Sequence, residues 1–379
     1  MKYFNLSNLL EVLREKKLVR FKSEILGEIN QSIDEILRRY KDKLKKSERK
    51  EKTDLKKRKT KANEILTSNQ IENLPNWLKT DIEKLFIIGT TNKVILSPEG
   101  KKFHLDNKLN DLSGAEWNFF LRSVINTRYA TNGKDSYAHN IRKIHPSPKP
   151  PQLMRDLIKF FTKENEYVLD YFSGVGGTLL GASLCDRNAL GIELNQNYVE
   201  TYIAANREMN LLEQKVIVGD SKEILKEKIL INDYLKNNLF SLIAIDPPYG
   251  DMMSREKTGE VFKKFNQKEA TPFTNSKNDL GNMKKSDFME SLLETISLST
   301  IFLKERGHII VFIKDFQPKN GNTNILHACL IEEINKLSKI SYVGMKIWVD
   351  ESINLYPYGY PFSYVSNQLH QYILFFRKD

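Results

Sequence analysis

The segment SLIAIDPPYGD ends an apolar run with Asp246, Pro247, Pro248 and Tyr249. Consecutive prolines fix the backbone and remove two amide donors, leaving carbonyl oxygens as acceptors. A carboxylate, a rigid carbonyl and an aromatic face together suit a planar base that carries an exocyclic NH2 group. That nitrogen is a poor nucleophile, because its lone pair is delocalised into the ring. Hydrogen bonds from its two protons to the Asp246 side chain and the Pro247 carbonyl would favour a pyramidal nitrogen. They would also stabilise the positive charge that develops as an electrophilic carbon arrives. Tyr249 would stack on the base and hold the reacting atoms in line.

Upstream, VLDYFSGVGGT places Gly174, Gly176 and Gly177 between an apolar run and a helix. Without a Cβ the chain can turn sharply there and approach a ligand at the helix N-terminus. By itself such a turn suits a dinucleotide, a phosphate or only a tight bend. Glu193 ends the run ALGIEL about twenty residues later, where an acid can accept from both hydroxyls of a ribose or simply face solvent. Asp220 ends VIVGD, where it can accept from an adenine amino group or cap the next helix.

These segments resemble the amino-methyltransferases of DNA, the adenine-N6 and cytosine-N4 family. The family's Phe-x-Gly-x-Gly cofactor motif is matched by Phe172-Ser173-Gly174-Val175-Gly176, and its catalytic motif by Asp246-Pro247-Pro248-Tyr249. IHPSPKPPQLMRDLI resembles the family's His-Pro-x-x-Lys-Pro segment through His145, Pro146, Lys149 and Pro150. The resemblance covers about residues 113–379, with the cofactor half before the catalytic half. It implies S-adenosylmethionine as cofactor, held by His145, Lys149, Pro150, Asp170, Phe172, Gly174, Gly176, Glu193 and Asp220. It implies as partner duplex DNA with the target base flipped into the site, at an unstacking cost of a few kcal/mol. A cognate restriction enzyme is left open as a second partner. The Asp at the head of the catalytic motif leans toward adenine N6. Cytosine N4 and an RNA amino group are the runners-up, and a non-catalytic nucleic-acid-binding module is a more distant alternative. One departure stands out: Tyr171 occupies a position where the family often has proline, which should alter the local turn and spare the glycine cradle.

Positioning these residues requires a sheet whose strand ends meet. From about Ser113 short apolar strands alternate with helices: PQLMRDLIKFFTK, YVLDYF, TLLGASLC, ALGIEL, NYVETYIAANREM, KVIVGD, EILKEKIL, SLIAID and HIIVFI. That alternation predicts an α/β, Rossmann-like, mostly parallel and doubly wound sheet. KIWVD and QYILFFRK should add an antiparallel edge hairpin. Residues 113–379 are thus expected to form the methyltransferase domain. Residues 1–112 are expected to form a helical, basic N-terminal extension that contacts DNA, with a hairpin over Lys93–Leu105 and a short helix over Asn76–Leu85.

The net charge is +11, and residues 38–61, with fourteen Lys or Arg against four Asp or Glu, carry most of the excess. Such a block serves as a polyanion-binding arm or as a solvated face. The two cysteines, Cys185 and Cys329, have no ligand spacing, which argues against a disulfide framework or a metal site and suits a reducing cytoplasm. Both are expected to be buried. No run of 18 apolar residues is present and the N-terminus reads poorly as a secretory signal, so neither membrane insertion nor export is expected. Residues 250–282 form a long polar segment, read as a lid or nucleic-acid contact, and the aromatic stretch 354–368 as a wall of the base pocket or a core hairpin. His308 and His327 are read as structural.

Overall fold

The computed structural model describes residues 59–250, 273–315 and 325–379, apart from 354, 356, 358, 359, 363 and 365. The first 58 residues of the expected helical extension, which hold nearly all of the basic segment, and most of the polar segment 250–282 lie outside the described residues. The chain divides into two compact units, which among the described residues are 59–72 with 78–100, and 73–77 with 101–379.

In the first unit, β1 (Lys59–Lys61), β2 (Phe86–Ile88) and β3 (Val94–Leu96) pair antiparallel, with Lys59 opposite Ile88 and Phe86 opposite Leu96. Short helices at Ala62–Ile65 and Ser68–Glu72 join them, and Ala62, Leu66, Leu85, Ile87 and Ile95 are buried. The described part of the N-terminal region is thus a small sheet with short helices. Triplets such as Phe-Ile-Ile are too short to show a period in the sequence. The turn of the expected hairpin follows β3 and is closed from Gly100 N to Ser97 O at 3.0 Å, and β4 (Lys102–His104) comes next in the chain, in the second unit.

The second unit holds an eight-stranded sheet. In chain order its elements are α1 (Gly114–Phe120), β5 (Val124–Thr127), α2 (His139–Arg142), α3 (Pro151–Phe161), β6 (Tyr167–Asp170), α4 (Gly177–Ser183) and β7 (Asn188–Glu193). Then come α5 (Gln196–Glu208), β8 (Lys215–Val218), α6 (Ser221–Glu227), α7 (Ile229–Leu235), β9 (Phe240–Ile245), α8 (Lys285–Ser299), β10 (Leu303–Ile313), α9 (Leu326–Ile334), β11 (Ile340–Asp350) and β12 (His370–Lys378). The strand order is β5-β11-β12-β10-β9-β6-β7-β8. β10, β9, β6, β7 and β8 run parallel, and β12 is antiparallel to β10 and β11.

Burial explains why the sheet is covered twice. All six residues of β9 are buried. Their side chains alternate, so Leu242 and Ala244 pack under α3 and α4, while Ile243 and Ile245 pack under α6 to α9. The parallel, doubly wound expectation holds, and β11 and β12 pair as the expected antiparallel hairpin. Two particulars differ. β12 inserts between β10 and β11, and β5 adds a further parallel strand beyond β11, with Ile347 opposite Val124. β5 was hidden in the sequence because VINT follows a helix directly and is only half covered. Its place is secured by Trp348 Nε1 donating to Thr127 Oγ1 at 2.7 Å, and by buried Lys346 donating to the Phe120 and Arg122 carbonyls. The helix expected over EILKEKIL is broken at Lys228, whose φ of 63° ends α6.

Cys185 is buried and Cys329 partly so, and both are free. Among the described residues, no helix is long and apolar enough to cross a membrane.

Candidate active site

The chain leaves β6 toward β7 and β8 on one side, while β9 and β10 lie on the other. The carboxyl ends of β6 and β9 therefore flank a topological switch point, the place where open sheets of this kind bind ligands. Four adjacent strands each deliver an acid there: Asp170 ends β6, Glu193 ends β7, Asp220 lies just past β8, and Asp246 follows β9. All four line one cavity of about 610 Å³.

Eleven of the thirteen residues singled out in the sequence line that cavity: His145, Lys149, Asp170, Phe172, Gly174, Glu193, Asp220, Asp246, Pro247, Pro248 and Tyr249. Pro150 and Gly176 do not. Pro150 precedes the first turn of α3. Gly176, at φ 76°, is pressed against Tyr202, and a Cβ there would come within 2.1 Å of the ring. Its glycine therefore serves internal packing. Gly177 is similar, since a Cβ would lie 2.7 Å from the Lys149 carbonyl. Gly177 still borders the cavity, as does Gly174, at φ 50°, across from His145.

The acids differ in how they are held. Buried Asp170 accepts from Phe172 N at 3.0 Å and from the Thr178 hydroxyl, and burial pushes its pKa up to about 7. Glu193 accepts from Gly174 N at 2.7 Å and Asn195 N at 2.9 Å, and burial holds it above the usual carboxylate range despite those bonds. Asp220 caps α6 by accepting from Lys222 N at 2.9 Å. It thus makes the cap weighed for it in the sequence while still lining the cavity. Tyr171, the departure from proline, is fully buried, and its carbonyl accepts from the Ser221 hydroxyl.

Asp246 is engaged on both oxygens. Lys149 Nζ lies 2.6 Å from Oδ2, and Tyr249 Oη donates to Oδ1 at 2.9 Å. The Lys149 ammonium is buried between Asp246 and the faces of Phe312 and Trp348, at 5.0 and 5.8 Å from their centres. Each carboxylate oxygen retains a lone pair, so Asp246 can still accept from a ligand. Burial raises the Tyr249 hydroxyl well above its ordinary pKa, and the neighbouring carboxylate adds to this.

His145 stacks on Phe273 at 5.1 Å and meets Tyr198 edge-on at 4.9 Å. Burial lowers its pKa to about 4, with Lys149 and Arg142 contributing, so the imidazole is neutral near pH 7. Its Nδ1 accepts from Ser147 N at 3.1 Å.

Several residues of the site were not read from the sequence. Behind the wall, Arg142, 1% exposed, donates to Val175 O at 3.1 Å and to the Lys149 carbonyl, tying the glycine turn to the Pro-rich segment. Thr178, Phe273, Asp279, Lys314, Asp315 and Gln371 line the wall itself. The arginine had a faint signal, lying three residues before His145. Thr178 lies in the first turn of α4 beside the glycine turn, Phe273 and Asp279 fall in the polar segment 250–282, and Lys314, Asp315 and Gln371, far along the chain, carried no signal. His327 packs on Tyr372 with its Nδ1 2.7 Å from Asp315 Oδ2, and His308 is partly buried beside Phe161. Within the stretch 354–368, Leu355, Tyr360, Phe362 and Tyr364 are exposed and form no core hairpin. Among the described residues, no group of three or more His, Cys, Asp or Glu could hold a metal ion.

Comparison with known proteins gives this site its class. The family model of the N6/N4 methyltransferases, described as DNA methylase, matches residues 11–206, a span that includes His145, the glycine turn and Glu193. The tRNA (guanine(10)-N2)-dimethyltransferase of Methanocaldococcus jannaschii is 30% identical over 153 residues, 38% of this chain and 40% of that protein. The type II methyltransferase M1.MboII of Moraxella bovis is 32% identical over 114 residues, 30% of this chain and 39% of that protein. The match thus spans about two fifths of each relative's length. Among solved structures, TrmN from Thermus thermophilus is 11% identical, with a TM-score of 0.40, over 63% of this chain and 52% of that one. The chain belongs to the N6/N4 DNA methylase family, and its cofactor is S-adenosylmethionine.

Proposed function

We propose that this protein methylates N6 of adenine in duplex DNA at a defined sequence, with the target base flipped into the cavity. The observation that carries this reading is Asp246, a carboxylate with a free lone pair on each oxygen, placed in the same cavity as the acids of β6 to β8. Residues 113–379 form the methyltransferase domain, and the basic N-terminal segment holds phosphates.

The cofactor fits the wall from Asp170 to Asp220. Glu193 takes the ribose hydroxyls, Gly174 with Phe172 offers backbone and a ring face, and Lys149 with His145 borders the methionine end. When bound there, S-adenosylmethionine supplies an electrophilic methyl group. Asp246 and the Pro247 carbonyl accept the two amino protons of the base and bring the nitrogen lone pair toward the methyl donor. The negative charge of Asp246 then stabilises the cation that forms on nitrogen. Tyr249 braces that carboxylate through its hydroxyl and presents its ring to the base. Lys149 balances the charge of Asp246 in a mostly dry setting. Neutral His145 adds no positive charge beside the developing cation.

Cytosine N4 would fit the same acceptors. The similarity to a tRNA guanine-N2 dimethyltransferase favours a second reading, an amino group in RNA. The test is to give purified protein tritiated cofactor with duplex DNA, single-stranded DNA and total RNA in parallel, and to resolve the methylated nucleosides by mass. N6-methyladenine from duplex DNA is expected. N4-methylcytosine would overturn the base, and transfer to RNA alone would overturn the substrate class.

A further inference from the structure

Three lysines line the cavity, Lys149, Lys222 and Lys314. Two of them are neutralised, Lys149 by Asp246 and Lys222 by Glu294 at 2.5 Å. Lys314 follows the last residue of β10, and no hydrogen bond or ion pair joins its ammonium to another described residue. Its neighbour Asp315 is engaged on both oxygens by His327, through N at 3.0 Å and Nδ1 at 2.7 Å. Asp350, at the end of β11, attracts the ammonium only through space, and its carboxylate accepts from Ser352 N and Oγ at 2.9 and 2.6 Å. Lys314 is half-buried, and burial lowers its pKa, with the charge of Lys149 adding to this. An ammonium that gives up hydration without gaining an acceptor is costly to keep. In the wall of a binding cavity, such a group is held ready for an anion.

The sheet narrows which anion that is. Alternation along β10, continued past its end, puts Lys314 on the face of Phe312, against whose ring the Lys149 ammonium lies. Lys314 is therefore on the β10 side of Asp246. Asp170, Glu193 and Asp220, which are assigned to the cofactor, stand on the β6, β7 and β8 side. The group left to enter from the β10 side is the methyl acceptor. A cation donating to its ring nitrogens would draw electrons out of the ring and weaken the amine as a nucleophile. Its backbone presents no such conflict. A flipped nucleotide turns about its own backbone, so the base goes deep and its phosphates come to the mouth. The cavity is otherwise rich in carboxylates, which repel a phosphate, and one uncompensated ammonium offsets that repulsion where the strand must approach.

We propose that the Lys314 ammonium receives a phosphate flanking the target nucleotide and so positions the flipped base in front of Asp246. This role presupposes the flipped nucleotide of the reading above, whichever base is methylated. Lysine suits it as a compact point charge on a flexible stem, which holds a phosphate without reading sequence. Lys314 fixes where the base stops and takes no part in the bonds that change.

The test uses the short duplex that the methylation assay identifies as substrate, with a single uncharged methylphosphonate placed at each position around the target in turn. Wild-type protein should lose about 10-fold or more in kcat/KM at a phosphate next to the target, the factor expected for one hydrogen bond between charged groups. Lys314→Met should lose a similar factor on the unmodified duplex and nothing further on the duplex that lacks that charge. The salt dependence of its binding should flatten by ~0.9. Lys314→Arg, which keeps the charge, should recover most of the rate. Calorimetric affinity for S-adenosylmethionine should be unchanged in Lys314→Met. Weaker cofactor binding would assign the ammonium to the cofactor's carboxylate and overturn the proposal. So would a Lys314→Met protein that loses its full factor on every modified duplex, the pattern of a merely structural role. If the wild type transfers methyl to RNA alone, the duplex reading falls before any variant is made, and the same scan along that RNA decides the role of Lys314.

Discussion

The ion pair between Lys149 and Asp246 makes a prediction that separates stability from chemistry. Asp246→Asn preserves shape and keeps an oxygen for the Tyr249 hydroxyl, but removes the charge. At 2.6 Å and an effective dielectric of about 20, the attraction removed is ~6 kcal/mol before desolvation is counted. The Lys149 side chain is 8% exposed and that of Asp246 20%, so the pair is mostly dry and breaking it falls in the range of ~3–5 kcal/mol. The partial exposure of the carboxylate places the expectation near the lower end, at about 3 kcal/mol. Turnover should fall at least ~100-fold, as for other preorganised charges aimed at a transition state. Lys149→Met in the Asp246→Asn background should restore much of the stability, because the orphaned cation is gone, and none of the rate. Denaturant melts of the four proteins in the cycle and single-turnover methyl transfer read the two quantities separately. Additive stability changes would show that the two groups are not coupled. Turnover above a tenth of wild type in Asp246→Asn would remove Asp246 from the chemistry.

Glu193→Ala should weaken binding of S-adenosylmethionine by about 1.5–3 kcal/mol, the worth of hydrogen bonds to a charged acceptor, with calorimetry as the measure. Neutralising Lys56, Lys57, Arg58 and Lys59 should lower DNA affinity and flatten its salt dependence by up to ~0.9 for each phosphate no longer neutralised, leaving sequence preference intact. Burial lifts Asp170 from 3.8 to about 7, so between those values the folded state binds more protons than the unfolded one and stability falls as pH rises. Asp170→Asn should remove that downward component from melts taken between pH 4 and 7, and an unchanged profile would refute it.

The sheet was legible because its strands are buried on both faces. Runs such as SLIAI carry no alternation, yet they are short, β-branched and bounded by turns, and that combination fits little else. The two places where the reading fell short have one cause. β5 pairs with β11, more than 200 residues along the chain, and β12 takes its place by pairing with β10 across the whole of β11, and no local pattern encodes either choice. The candidate site was legible in its chemistry and less so in its mechanics. Asp246 and the acids of β6 to β8 stand at strand ends, where type and position already imply a ligand. The glycines were read as making room for the cofactor, whereas Gly176 and Gly177 make room for Tyr202 and the Lys149 backbone. A sequence shows that a side chain is missing, but not which neighbour fills the gap.

That correction bears on how the two halves of the site are joined. Arg142 binds the carbonyls of Val175 and Lys149, Gly177 lets those same segments touch, and the Lys149 side chain continues across the cavity to Asp246. One stretch, residues 142–149, therefore fixes the glycine turn through the Arg142 side chain and the Lys149 backbone, and the Asp246 carboxylate through the Lys149 side chain. Under the proposed function, a shift of this stretch would move both the wall that receives the cofactor and the charge that receives the base. Methyl transfer needs a near-linear approach of nitrogen and carbon, and displacement of either partner by about 1 Å can cost two orders of magnitude in rate. A single buried segment that positions both partners keeps such displacements correlated, so the geometry between them is preserved when the segment moves.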